Sequence, residues 1–171
     1  MNTLIHKSSK AGFSLIELVV VVLIMSVLAG VVVPRVIDRQ ATARDSRRLA
    51  DVKAISSAVE QFYLDTGQWP VADGSGWDKS HDASFISELT NNGYLRETPK
   101  DPVNDNTYHY RYYVYNQGKY GCIGSSKFYV LGVRQFESDD FATKNPGFFK
   151  CASRNWSSDF DYVTGGGASF N

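Results

Sequence analysis

The sequence is poor in the residue types that build metal centres and nucleophilic active sites. Its 171 residues include two cysteines and three histidines, and no two histidines stand at the short spacing of zinc ligands. It has no glycine-rich phosphate loop and no Gly-x-Ser-x-Gly turn. Positive and negative charges balance at 18 each, which gives no electrostatic reason to expect a nucleic-acid partner. We therefore predict a protein that is not an enzyme and binds no specific nucleic acid.

A long apolar run near the N-terminus is the most informative feature that the sequence does have. Two lysines precede a Gly12-Phe13 junction, and Glu17 follows four residues after Phe13. From Leu18 to Pro34 there is no charged residue. At ~1.5 Å per residue, a helix of this length spans most of a ~30 Å hydrocarbon core. A carboxylate at the edge of such a segment is costly unless it finds a partner, so Glu17 needs a functional explanation.

The residues Gly12-Phe13-Ser14-Leu15-Ile16-Glu17 resemble the cleavage and methylation signature of type IV prepilins and type II secretion pseudopilins. The resemblance implies that residues 1–12 are a leader peptide, which a membrane prepilin peptidase cuts after Gly12 before it methylates the amine of Phe13. It also implies a single-pass subunit in the inner-membrane bilayer, with its head in the periplasm. An assembly platform and an ATPase would then polymerise it with copies of itself and with minor pilins or pseudopilins, into a periplasmic or cell-surface filament.

On this resemblance, residues 13–35 form a helix that first crosses the membrane and later lies in the filament core. Glu17 would pair with the Phe13 amine of a neighbouring subunit, which offsets the cost of desolvation and fixes the register between subunits. Pro34 lies inside the same helix and removes one backbone donor. It therefore predicts a kink or a local loss of helix at a position that bears on filament assembly.

Simpler interpretations of the apolar run remain open. One is a secretory signal peptide, cut after the small residue Ala29. Another is a plain single-pass anchor for a periplasmic binding module or adhesin that uses a tyrosine-rich hairpin. A membrane-tethered enzyme is a third, and the missing catalytic constellation argues against it. Within the pilin class, the sequence leaves pilus and pseudopilus undecided.

The helix is predicted to continue beyond the membrane segment as an amphipathic stretch, residues 36–66. Apolar residues recur there at steps of three and four and define one face: Leu49, Val52, Ile55, Val59, Phe62 and Tyr63. The charged residues between Arg44 and Lys53 are expected to cover the solvent-facing remainder. Gly67, followed by Trp69-Pro70, predicts that the helix ends near Thr66.

Residues 67–171 are predicted to form a globular head. A turn-rich loop spans residues 67–107, with a short helix at Phe85–Leu89. The sheet spans residues 108–136. Residues 137–171 are predicted to be C-terminal loops, with a mobile end at the three glycines of residues 165–167.

Two segments within 108–136 alternate in the manner of strands, Tyr108–Tyr115 and Phe128–Val133. The tyrosines at alternate positions of the first strand would form the seam with the long helix. The predicted fold class is therefore α+β: a long N-terminal helix, half membrane-spanning and half amphipathic, packed on a small antiparallel sheet, as in pilins.

The head carries two further predicted features. Cys122 and Cys151 form one disulfide, because two cysteines in an exported chain usually pair. The stretches Asp65–Pro70 and Pro99–Pro102 resemble major pseudopilins, which have a calcium site in their C-terminal loops. The resemblance makes four aspartates candidate calcium ligands: Asp139, Asp140, Asp159 and Asp161. No other cofactor is expected.

Overall fold

The computed structural model describes residues 12–72, 76–124 and 127–167, apart from the side chains of Val31 and Pro34. Its helices and strands, in chain order, are α1 (Leu15–Thr66), β1 (Asp78–Lys79), α2 (Ser87–Asn91), β2 (Tyr110–Tyr115), β3 (Phe128–Val133), α3 (Asp139–Lys144), β4 (Lys150–Cys151), β5 (Arg154–Asn155) and β6 (Tyr162–Gly166). The chain divides into two compact units, residues 1–39 and 40–171. Of the predicted leader, residues 1–12, only Gly12 lies within the described residues.

The first unit contains the N-terminal part of α1. Its described apolar side chains lie exposed from Leu15 to Ile37. An 18-residue window of α1 has a mean hydropathy of 2.9, so the helix is long and apolar enough to cross a membrane. The backbone stays helical through position 34, and the kink at Pro34 stays a prediction. A continuous apolar surface of this kind calls for a cover of lipid or protein.

In the second unit, α1 packs on one face of the sheet and builds a helix-side core. Val52, Ile55 and Val59 are fully buried there, as their spacing along the helix predicts. The helix ends where Gly67 takes a φ of +73° and its N–H donates to the carbonyl oxygen of Tyr63 at 2.8 Å. Glycine adopts this left-handed conformation without strain, so it can end the helix here. The predicted helix end near Thr66 is confirmed.

Four strands form the antiparallel sheet, in the order β1–β2–β3–β6. The two strands predicted from alternation are its central pair, although β2 begins two residues later than predicted. Tyr110, Tyr112, Tyr129 and Leu131 are fully buried in the helix-side core. Because successive residues of a strand point to opposite faces, the intervening side chains belong to the other side of the sheet.

That other side is covered by a second core, which we call the outer layer. Phe128, Val130 and Val163 contribute to it from the sheet. The C-terminal segment supplies buried aromatic residues: Phe149, Trp156 and Phe160. The predicted disulfide between Cys122 and Cys151 is present and lies in this layer. It joins β4 to the segment that precedes β3.

The prediction of loops for residues 137–171 was wrong. This segment contains α3, β4, β5 and β6, and β6 pairs with β3. Gly165, which we assigned to a mobile end, lies within β6. A Cβ at this position would come within 2.4 Å of both the Phe149 ring and the Tyr129 carbonyl oxygen. Glycine is therefore required for close packing, and the glycine run marks contact rather than mobility.

The loop predicted for residues 67–107 also contains two short elements. Strand β1 extends the sheet beyond the predicted range of residues 108–136. Helix α2 begins two residues later than the predicted Phe85–Leu89. The reason is Ile86, which takes a left-handed φ of +42° while its N–H donates to Oδ2 of Asp78 at 2.7 Å. A helix cannot start through a residue in that conformation.

Candidate assembly site and the surfaces of the head

The predicted processing site lies directly before α1. Gly12, Phe13 and Ser14 precede the first helical residue, and the side chain of Phe13 is 92% exposed. The Gly12–Phe13 peptide bond therefore lies outside the hydrogen-bond ladder of the helix. A peptidase can reach a bond in this position without unwinding α1.

Glu17 lies in the first turn of α1 and is exposed. Its Oε2 accepts a hydrogen bond from the backbone N–H of Ser14 at 2.8 Å. This is one half of a capping box, in which a carboxylate three residues inside the helix satisfies a free N–H at its start. The carboxylate retains lone pairs for a second donor. Its pairing with the Phe13 amine of a neighbouring subunit stays a prediction.

A buried cluster of charged residues joins α1 to two distant segments of the head. Arg48 is fully buried, and its Nε and Nη2 donate to the two oxygens of Asp101 at 2.7 and 3.0 Å. Its Nη1 contacts Asp45 at 2.6 Å and Glu137 at 2.8 Å. Arg44 makes a second, two-pronged contact with Glu137. We call these five residues the α1 ion cluster.

The carboxylates of the α1 ion cluster also hold the backbone of both segments. Asp45 accepts hydrogen bonds from the N–H groups of Glu137 at 3.0 Å and Ser138 at 2.9 Å. Asp101 accepts one from the N–H of Val103 at 2.8 Å. These bonds supply the partners that buried carboxylates require in a low-dielectric interior. The cluster thereby fixes the loop before β2 and the segment after β3 to one turn of α1.

Pairing outweighs desolvation in this cluster. Burial is the largest single influence on the pKa of Arg48 and acts to lower it, but the bonds and charges of Asp101, Glu137 and Asp45 raise that pKa overall. The pKa of Glu137 lies below its ordinary value, chiefly because Arg44 donates to it. Both groups are therefore ionised at neutral pH.

The sequence interpretation missed this cluster. It placed the charges between Arg44 and Lys53 on the solvent-facing surface, which was wrong for Asp45 and Arg48, since both are fully buried. Their spacing carries a usable signal. Positions 45, 48, 52, 55 and 59 follow one another by three or four residues, so the two charged residues extend the buried apolar face of α1.

Two tyrosines of strand β2 point into the core, although the adhesin alternative would use this strand as a binding surface. Tyr110 and Tyr112 are fully buried, and their hydroxyls donate to Asp51 at 2.8 Å and to the carbonyl oxygen of Pro70 at 2.9 Å. Burial is the main reason why the pKa of each lies above its ordinary value. These two residues form the predicted seam between sheet and helix.

The four candidate calcium ligands are not brought together. Asp140 and Asp159 are each paired with a basic residue of their own segment. Asp161 accepts a hydrogen bond from the N–H of Phe136 at 2.7 Å, and Asp139 lies in the first turn of α3. Among the residues that the structure describes, no group of three or more histidine, cysteine, aspartate or glutamate residues is placed to hold a metal ion. Calcium binding stays an untested prediction.

Two family models match the chain. The prokaryotic N-terminal methylation motif matches residues 7–33, and protein G of the type II secretion system matches residues 35–126. The second match covers more than half of the chain. Residues 127–171, which supply β3, β6 and much of the outer layer, lie beyond both matches.

Individual relatives bear related names. The type II secretion system core protein G of Aeromonas hydrophila is 27% identical over 122 residues, which are 69% of this chain and 81% of the relative. The Escherichia coli K12 protein of that name is 29% identical over 115 residues, 65% of this chain and 75% of the relative. The one from Pseudomonas aeruginosa is 32% identical over 106 residues, 57% and 70% of the two chains. No solved structure matches the chain significantly.

The fold and the N-terminal motif together define a pilin-like structural subunit. The apolar first part of α1 lies within the match to the methylation motif, and the amphipathic half of the same helix packs on a small antiparallel sheet. The chain belongs to the family of type II secretion system protein G, whose members are pseudopilins. The predicted class is therefore confirmed. Of the two open possibilities within that class, pilus and pseudopilus, the family match supports the pseudopilus. The adhesin alternative is not favoured.

Proposed function

We propose that the chain is made as a precursor, cut after Gly12, methylated on the amine of Phe13 and polymerised into a pseudopilus that serves type II secretion. Residues 13–35 anchor the subunit in the inner membrane before assembly, with the head in the periplasm. Its partners are further copies, minor pseudopilins, the prepilin peptidase, and the assembly platform with its ATPase. The observation that supports this most directly is the exposed Gly12–Phe13 bond beside a helix whose described apolar side chains all lie exposed up to Ile37.

Glu17 has a specific role in this proposal. Cleavage creates a positive amine on Phe13, four residues before the carboxylate. Inside lipid or a filament core, neither charge is stable alone, so a subunit gains by pairing its Glu17 with the amine of the next subunit. A buried ion pair of this kind also selects one register between helices that otherwise offer each other uniform apolar surfaces.

The processing step is tested by the mass of the protein purified from membranes. We expect a chain that begins at Phe13 and carries one additional methyl group. Gly12→Val should block cleavage. Ala11→Val, the same kind of change one residue earlier, should leave cleavage unaffected. Cleavage after Ala29, or a native chain that still begins at Met1, would contradict the proposal.

Assembly is tested with two variants of Glu17. Glu17→Ala removes the carboxylate, whereas Glu17→Gln keeps an oxygen that can accept the Ser14 hydrogen bond and removes only the charge. We expect both variants to be inserted and processed but to yield little pseudopilus when fibres are sheared from cells. If Glu17→Gln assembles like the wild type, the role of Glu17 is helix capping and not charge pairing. Normal fibres from Glu17→Ala would show that assembly needs neither role.

A further inference from the structure

Three basic side chains lie beside one another across the sheet, on the side away from α1. Lys79 of β1 stands directly opposite Arg111 of β2, so their side chains share one face. That face is the outer one, because Arg111 lies between two tyrosines that point into the helix-side core. Arg134 follows β3 directly, and its Nη1 donates at 2.7 Å to the carbonyl oxygen of Asp159, which precedes Phe160 of the outer layer. We call the three basic residues the basic row.

No carboxylate forms an ion pair with the basic row in the part of the chain that the structure describes. The Nε of Arg111 donates to Nε2 of His109 at 2.8 Å, and the bond from Arg134 to Asp159 goes to the backbone. The carboxylate of Asp159 is itself paired with Arg154. Like charges directly opposite each other in a sheet are destabilising, so the pair across β1 and β2 is unfavourable unless a negative charge joins it.

Arg48 shows how the same chain accommodates a guanidinium out of water elsewhere. Burial acts to lower the pKa of Arg48, but three carboxylates raise that pKa above its ordinary value. At the half-buried Arg111, burial first and the charge of Arg134 second hold the pKa below its ordinary value, and Asp159 offsets them only in part. The Nη1 and Nη2 groups of Arg111 also carry N–H donors, and no described residue accepts a hydrogen bond from them. The surroundings of Arg111 therefore lack an anion that those of Arg48 contain.

We infer that the basic row binds a terminal phosphate group, either of a soluble compound or of a lipid. Arginine forks match phosphate oxygens, and lysine binds phosphate as a compact point charge. A terminal phosphate has three acceptor oxygens that point in different directions and carries almost two negative charges at neutral pH. It can therefore meet cations from three segments at once, whereas a carboxylate has only two oxygens and one charge. The inference does not depend on assembly, so it is tested on unassembled subunits.

The binding test uses the full-length chain in dodecyl maltoside, a detergent without phosphate. Sodium phosphate replaces sodium chloride at constant ionic strength, and backbone amide signals are followed by NMR. We expect saturable shifts at Arg111 and Arg134, and none at Val59 in the helix-side core. Arg111→Gln should weaken binding roughly tenfold, the effect of losing one charge-assisted hydrogen bond. Arg96→Gln, the same change of charge at an exposed position outside the basic row, should bind like the wild type. Equal weakening by both variants would overturn the inference.

A lipid arm distinguishes the two sources of phosphate. The chain is placed in phosphatidylcholine nanodiscs without free phosphate, and either phosphatidic acid or phosphatidylglycerol is added. Phosphatidic acid ends in a phosphate group, whereas the phosphate of phosphatidylglycerol is anionic but bonded on both sides. Shifts at the basic row with phosphatidic acid assign the site to a lipid, and shifts with inorganic phosphate alone assign it to a soluble compound. Equal shifts with phosphatidylglycerol, or none in either arm, overturn the inference.

Lys79→Gln separates binding from a merely structural role. The substitution removes one of two like charges that stand opposite each other. The thermal midpoint measured in chloride should therefore rise, while the additional rise on adding phosphate should become smaller than in the wild type. A residue that served stability alone would change the midpoint in the opposite direction. A lower midpoint in chloride, or an unchanged response to phosphate, would overturn the inference and would leave the proposed function in secretion untouched.

Discussion

The two faces of the sheet carry cores of different construction. The helix-side core is covered by one long element, α1, which supplies aliphatic side chains at regular intervals and the basic residues of the α1 ion cluster. The outer layer is covered by strands of two residues each, a 3-10 turn and connecting backbone. Elements this short have little stability of their own, because each must be ordered without a longer series of backbone hydrogen bonds to stabilise it. The outer layer therefore depends on large side chains and a covalent link.

The aromatic residues of the outer layer show how that dependence is met. Trp156 is fully buried, and its ring lies 5.4–6.1 Å from the rings of Phe149, Tyr115, Tyr120 and Phe128. Ring pairs at such distances add favourable energy beyond the area that they bury. A long helix can cover a sheet with ordinary aliphatic residues, whereas short segments need more contact area from each residue.

The largest effect is expected on the helix side, from Arg48→Ala. The substitution leaves Asp101 and Asp45 buried without their cation, and breaking a buried ion pair in this way costs about 3–5 kcal/mol. The control is Arg47→Ala, because the Arg47 side chain is 66% exposed and 3.7 Å from Asp51, and surface changes stay within about 0.5 kcal/mol. Urea unfolding of a head fragment, residues 40–171, measures both. A loss below about 1 kcal/mol for Arg48→Ala would show that the cluster is not needed for stability.

A somewhat smaller effect is expected in the outer layer, from replacing Cys122 and Cys151 together by alanine. The two residues are 29 apart in sequence, and in the chain-entropy model a loop of this length contributes about 3–4 kcal/mol. The loss should be unevenly distributed. Hydrogen exchange should accelerate at outer-layer amides such as Trp156 well before it does at Val59 in α1. Equal acceleration at both sites would mean that the two cores open as one unit.

The smallest of the three effects is a pH dependence that arises from His109. This residue is buried, its Nδ1 lies 2.9 Å from the carbonyl oxygen of Asp105, and its Nε2 accepts a hydrogen bond from Arg111 at 2.8 Å. Burial first, and the charge of Arg111 second, lower the pKa of His109 from 6.5 to about 4. The unfolded chain therefore takes up a proton before the folded one as the pH falls. The folded state should lose stability from pH 6.5 downward and stop losing it to this group near pH 4.

The measurement for His109 is the free energy of unfolding of the head fragment between pH 6.5 and roughly pH 5, above the range in which most carboxylates titrate. His109→Gln keeps an amide in place of the ring and cannot gain a proton, so its profile should be flatter than that of the wild type. Identical slopes for the two proteins would assign the pH dependence to other groups.

The difference between the two cores also explains which parts of the fold could be predicted. The helix-side core follows from periodicity, since Val52, Ile55 and Val59 recur with the helical period. The outer layer has no period to detect, because its residues come from short segments that only the sheet brings together. Strand β6 was missed because its glycines, which usually indicate a loop, are required by the close approach of Phe149 and Tyr129.

The candidate site residues and the α1 ion cluster differ in the same way. Gly12, Phe13 and Glu17 are recognisable because the N-terminal methylation motif places those residue types in one contiguous stretch. The α1 ion cluster joins residues 45, 101 and 137, and contacts over such separations leave no local pattern on the loop residues. Within the cluster, only Asp45 and Arg48 can be recognised in the sequence, because they are charged residues that continue the apolar face of α1.

The close approach of Gly147 to β6 has a consequence for encounters between copies of the chain. A strand at the edge of a sheet offers backbone donors and acceptors that can recruit a strand from another molecule. Here the backbone at residue 147 lies against Val163, where a Cβ would be 2.1 Å from the nitrogen and 2.5 Å from the carbonyl oxygen. That edge is therefore covered at Val163, the second residue of β6, by the chain itself. A second chain is thereby kept from pairing with β6 at this residue, which guards against strand exchange between copies of the protein.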